Sequence, residues 1–160
     1  MNNENQELES IWADGVPANI GKEDLMEAID ILRLCIRFTV EKVIADKGYK
    51  ILGIIDKLDR FPHITLEKDG TKYGLVILPE VYPRFGSVTD DFRLKFVSAS
   101  KEHNVVPVFC PVLIKSIDDK RAEKGLLLKG DVFNCLNIGQ AILNDEEKQE
   151  ITPDNLTQII

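Results

Sequence analysis

Residues 61–83 read FPHITLEKDGTKYGLVILPEVYP. Two apolar-rich arms flank Asp69-Gly70, a dipeptide suited to a two-residue hairpin turn because both of its residues accept positive φ. A turn there sets Glu67 against Lys72, Leu66 against Tyr73 and Ile64 against Leu75. Opposite charges then meet on one face and apolar side chains on the other, which makes the register self-consistent. The second arm, YGLVIL, is apolar without alternation, the pattern of a central strand covered on both sides.

Upstream, GKEDLMEAIDILRLCIRFTVEKVIADKG (21–48) predicts a long helix over residues 22–47. Leu25, Ile29, Leu32, Ile36, Val40 and Val43 recur at three- and four-residue steps, and Ile31, Leu34 and Phe38 widen that apolar face. The width of the face suggests a helix covered by a partner. Gly48 is placed to stop it. YKILGIIDKL (49–58) reads as a strand apolar on both faces, completing a three-strand meander with the hairpin.

Downstream, SVTDDFRLKFVSASKEHN (87–104) predicts a helix capped by Thr89, with Phe92, Phe96, Ala99 and His103 facing inward and His103 as a cation at its C-terminal end. The next run, VVPVFCPVLIKS, carries Pro107 and Pro111 at the same parity, so both missing N–H groups fall on one edge of a strand that is unpaired or only partly paired there. Asp118-Asp119-Lys120-Arg121 reads as a solvated loop. LLLKGDVFNCLNI (126–138) predicts a last strand with an irregularity at Lys129-Gly130. GQAILNDEEKQE reads as a short helix, and Thr152-Pro153 as the start of a final helical turn stapled by Ile151 and Leu156. The expected fold is α+β: a single mixed β-sheet of about five strands with helices packed on it, in the order α-β-β-β-α-β-β-α.

Charge marks out the ends of the chain. Of a net −7, residues 1–20 contribute four acids and no base, and residues 145–160 five acids and one base. Residues 21–144 are left with 19 bases against 18 acids. The expected organisation is an acidic, loosely ordered segment over 1–20, pinned to the core by Ile11-Trp12, one globular domain over 21–144, and an acidic tail with a short helix over 145–160. No basic stripe suggests nucleic acid. No apolar run approaches the roughly 20 residues a bilayer requires. A cytoplasmic protein follows, with Cys35, Cys110 and Cys135 as reduced core thiols and no metal or cofactor.

A long helix, a meander and a crossover helix, together with the texture of FPHITLEKDGTKYGLVILPEVYP and SKEHNVVPVFCPVLI, resemble the core of the restriction-endonuclease-like, or PD-(D/E)xK, superfamily. The resemblance covers roughly 22–138. Active members hold a divalent metal with an aspartate and a Glu-x-Lys, the carboxylates binding the ion and the lysine orienting water. On this chain the aspartate position falls on His63 and the Glu-x-Lys positions on Leu78, Pro79 and Glu80. The resemblance therefore implies a degenerate site without catalytic residues. Candidate binding residues at the strand ends are His63, Glu80, Tyr82 and Arg84. The element order is also similar to type III secretion chaperones, which implies a homodimer, here through the helix over 22–47, holding a protein partner. The expected function is a non-catalytic binding or assembly module, whose partner is a protein or a second copy rather than nucleic acid. A metal nuclease with a relocated site is the third reading.

Overall fold

The structure is a computed structural model that describes residues 20–146 and 149–160. Its centre is one mixed sheet built from β1 (Lys50–Ile54), β2 (Ile64–Lys68), β3 (Thr71–Val81), β4 (Val106–Ser116) and β5 (Phe133–Asn137), in that spatial order, with β6 (Ala141–Ile142) beside β4. The hairpin register is the predicted one, pairing Ile64 with Leu75, Leu66 with Tyr73 and Glu67 with Lys72. Asp69 and Gly70 both have positive φ, 51° and 80°, as this turn requires. β3 then runs parallel to β4 from Tyr73↔Val106 to Val81↔Ile114. The connection between them is α2 (Asp90–Glu102), capped by the Thr89 hydroxyl, which accepts from the Phe92 N–H.

Two apolar layers follow from strand alternation. On one face Ile64, Leu66, Leu75, Ile77, Val108 and Cys110 meet Leu32, Cys35 and Ile36 of α1 (Ala28–Phe38). On the other, Val76 and Phe109 meet Phe96 and Val97 of α2, together with Leu143. β3 supplies both layers, as its unbroken apolar run predicts.

The prolines of β4 mark a seam. Leu143 N–H donates to the Pro107 carbonyl, so Pro107, and by alternation Pro111, turn their backbones to the edge away from β3. There β6 pairs with Val108 and Phe109, while β5 pairs with Val112 to Ser116. Pro111 lies between the two short partners, where a missing N–H leaves no ladder bond broken.

Several expected elements differ. The first helix begins at Ala28 rather than residue 22, because the preceding backbone is engaged elsewhere. Leu25 bridges Leu128, and Met26 N–H donates to the Leu127 carbonyl at 2.9 Å. Lys22–Asp24 form only a 3-10 turn. Past Phe38 the helix widens into a π-type segment, Thr39–Ile44, whose first hydroxyl donates back to the Cys35 carbonyl at 2.8 Å, a bond that loosens the regular ladder. The broad apolar face of α1 is filled within the chain: Ile31, Phe38 and Val40 pack on the core together with Ile159 and the buried Ile160. Residues 141–142 are strand rather than helix, since their pairing with β4 takes precedence over local preference. The loop expected at 118–121 holds a short helix, α3 (Asp119–Glu123), whose Asp118 cap accepts from the Arg121 N–H. The predicted last strand is confined to β5, with Gly130 (φ 78°) in the turn before it. Thr152-Pro153 does open a 3-10 turn, Pro153–Asn155, with Ile151 and Leu156 packed on the second layer. The inner face of α2 is rotated from the expected one: Arg93, Phe96, Val97 and Ser100 are buried, while Ala99 and His103 are exposed.

Candidate functional site

The carboxyl ends of parallel strands are where open sheets bind ligands, and here those are the ends of β3 and β4. Glu80, the penultimate residue of β3, is only 3% exposed. One of its carboxylate oxygens accepts from the Gly86 N–H, and the other has no partner among the described residues. Burial pushes this carboxyl above its ordinary range, and the Gly86 bond offsets part of that rise. Gly86 suits the contact, since a Cβ there would come within 3.3 Å of both Glu80 oxygens. Tyr82, two residues on, is 37% exposed and carries the Lys115 ammonium 4.9 Å from its ring centroid. Arg84 is exposed in the following turn, where its N–H donates to the Val81 carbonyl.

His63 lies elsewhere. It is 2% exposed and both ring nitrogens are engaged: Nδ1 accepts from the Ile77 N–H at 2.9 Å, and Nε2 donates to the Lys57 carbonyl at 3.2 Å. These bonds fix a neutral tautomer, and burial lowers the imidazole's proton affinity while the Lys57 bond partly restores it. The ring extends the β2–β3 ladder past the end of β2, and Ile77 lies three residues before Glu80, about 10 Å along a strand. Glu80 and Tyr82 thus share the end of β3, whereas His63 serves the sheet.

A polar cluster at the end of β4 went unread in the sequence. Asp131 accepts from the Ser116 hydroxyl at 2.9 Å and from Arg121 through Nε and Nη2 at 2.9 and 3.1 Å. Burial alone would raise the Asp131 carboxyl, but the bonds from Ser116, Arg121 and the Val132 N–H outweigh it and hold the group below its ordinary range. Asp118 as a helix cap was the available signal; the meeting of Arg121 with Asp131 needed tertiary structure. Burial raises all three thiols, Cys110 to about 12, which leaves them protonated and inert. Among the described residues, no group of three His, Cys, Asp or Glu is placed to hold a metal ion.

The site lies within a sequence region of known membership: residues 30–139 match the model of a family described as Domain of unknown function (DUF8840). The chain belongs to this family. The match takes in α1 from Asp30 onward and all five principal strands of this DUF8840 member, and with them His63, Glu80 and the Arg121–Asp131 pair. No curated protein and no solved structure matches the chain. No helix among the described residues is long and apolar enough to cross a membrane.

Proposed function

We propose that the chain is a non-catalytic binding or assembly module of the cytoplasm, built on a restriction-endonuclease-like scaffold whose metal-binding carboxylate and lysine set is missing. The observation that carries this reading is the state of His63, at the position of the catalytic aspartate. Both of its nitrogens are committed to backbone groups, so it has no capacity left for a metal or a proton transfer. Leu78 and Glu80 stand where the Glu-x-Lys pair would be, and Glu80 faces the Gly86 amide rather than a second carboxylate. The parallel β3–β4 pairing with α2 between them supports the scaffold assignment.

A protein partner or self-association is favoured by the apolar side chains the fold leaves open. Around β1, Ile51, Leu52, Ile54, Ile55 and Leu58 are between 36% and 53% exposed, a concentration that marks contact surfaces on soluble domains. This also favours the second reading, a chaperone-like dimer, through β1 rather than through the filled face of α1. The deciding experiment is incubation of purified protein with supercoiled plasmid in Mg²⁺ or Mn²⁺. The plasmid is expected to stay intact. Metal-dependent cleavage abolished by Glu80→Gln would overturn the proposal in favour of a relocated nuclease site.

A further inference from the structure

On the sheet face opposite α1, residues 61–65 and the second half of α2 enclose a pocket of about 330 Å³. Phe61, Pro62, Phe96 and Val105 form its apolar walls, and Thr65, Ser100 and His103 supply its polar atoms. The aromatic walls are fixed through a shared neighbour. Phe61 meets Phe92 edge-on at 4.6 Å between ring centroids, and Phe92 stacks on Phe96 at 5.7 Å. The floor depends on a glycine: a Cβ on Gly74, which pairs with Thr65, would come 3.0 Å from Val105 Cγ1 and 3.3 Å from Pro62. Space is what keeps that strand position bare. Ser100 is 6% exposed, and its hydroxyl has no hydrogen-bond partner among the described residues. Helical serines often return the hydroxyl to a carbonyl one turn back, but this one lines the pocket instead. An unpartnered buried hydroxyl is costly, which makes it a recognition group in waiting.

We propose that this pocket binds a small, neutral, flat aromatic molecule carrying one hydrogen-bond donor, with its ring against Phe61 and Phe96 and its donor on the Ser100 hydroxyl. Size sets the first limit. An apolar cavity of about 150 Å³ accepts a single benzene ring, and small-molecule sites begin near about 300 Å³, so one ring or a fused pair fits. Charge sets the second. The lining holds no Asp, Glu, Lys or Arg, so nothing there answers a fully charged ligand. The pocket also borders the last turn of α2, which ends at Glu102, and the negative end of a helix dipole disfavours a carboxylate and favours a donor. Thr65 and His103, whose side chains also lack hydrogen-bond partners among the described residues, are placed to hold a second polar edge of the same ring. The site is separate from the strand-end carboxyl of Glu80 and from the apolar edge at β1. Plasmid cleavage would leave it untouched, so it and the proposed function can fail separately.

Titration of the full-length, ¹⁵N-labelled chain with three probes tests this: indole, its carbocyclic analogue indene, which lacks the N–H, and the anion indole-3-acetate. Indole should shift the amides of Thr65, Ser100, His103 and Val105 saturably. Indene should bind about fivefold more weakly, the worth of one hydrogen bond, and indole-3-acetate more weakly than indole. Ser100→Ala should bring indole down to the affinity of indene and leave indene unchanged, a pattern that a merely structural serine would not produce. Ala99→Phe, on the exposed rim of the pocket, should abolish both without altering far-UV circular dichroism. Four results would overturn the proposal: no saturable shift with indole at millimolar concentration, shifts confined to residues outside the pocket, equal affinity for indole and indene that Ser100→Ala does not change, or tighter binding of indole-3-acetate than of indole.

Discussion

The ends of β3 and β4 and the edge of the sheet at β1 divide the chain's chemistry in opposite ways. At the strand ends Glu80, Ser116 and Asp131, and along the β2–β3 ladder His63, are polar groups turned inward, and their hydrogen bonds go mostly to backbone and to each other. At β1, Ile51, Leu52, Ile54 and Ile55 are apolar groups turned outward, on a strand exposed at every residue. Polar residues buried with partners hold a fold together, because losing one partner leaves the other unsatisfied. Apolar residues left in water contribute little to the fold and are free to serve contact. Substitutions should therefore cost stability at the strand ends and almost none at β1.

The largest loss is expected at Asp131. Asp131→Ala removes the acceptor of the Arg121 Nε and Nη2 bonds and of the Ser116 hydroxyl, and losing these largely buried charge-assisted bonds should cost about 3 kcal/mol, read as a fall in the urea midpoint. His63→Ala comes next. It removes the acceptor of the buried Ile77 N–H and should cost about 2 kcal/mol. It should also change the acid limb. His63 has its proton affinity lowered from an ordinary 6.5, so below that pH the unfolded chain takes up a proton that the fold resists. The parent should lose stability as pH falls from 6.5, and His63→Ala should flatten that slope. An unchanged slope would place the imidazole in a solvated position.

Local chemistry and distant pairing explain what could be read before the structure. The hairpin was legible because Asp69-Gly70, the Glu67–Lys72 pair and the alternation of β2 all lie within twenty residues and agree. The parity of Pro107 and Pro111 announced an unpaired or partly paired edge for a similarly local reason, and the edge is partly paired. The start of α1 was not legible, because Leu25 continues the helical period while its backbone is held by Leu128, a hundred residues on. Ala141–Ile142 has no strand signature of its own and becomes a strand through Val108 and Phe109. At the candidate site, Glu80 stood out as a carboxylate closing an apolar strand, but its partner is a backbone amide that no side-chain pattern announces. Arg93 was invisible for the opposite reason. A charged residue on a helix reads as solvent-facing, yet here it is 1% exposed and donates to the Asn144 carbonyl and to Asp90.

Glu80→Gln should act with the reverse sign. The carboxyl's proton affinity is raised from an ordinary 4.5 by burial, so the fold holds a proton that the unfolded chain releases, and stability declines as pH rises through the raised value. Glutamine keeps an acceptor for the Gly86 amide without the charge. The two chains should be equally stable near pH 4 and diverge above it, with Glu80→Gln the more stable at pH 8. A variant less stable at every pH would mean that the charge itself is used.

The smallest effect is expected at β1, and it sharpens the contrast most. Ile54 is 49% exposed, and its cross-strand neighbour Ile64 is fully buried, so one face of the side chain already rests on the sheet. Ile54→Thr keeps the β-branch that suits a strand and removes only apolar surface that is largely in water. Its cost to unfolding should lie within about 0.5 kcal/mol. If β1 is a contact surface, the same change should lower any concentration-dependent sedimentation of the parent while leaving the unfolding midpoint in place. A large loss of stability in a chain that is monomeric at every concentration would instead make Ile54 part of the core, and the division between inward polar ends and an outward apolar edge would no longer hold.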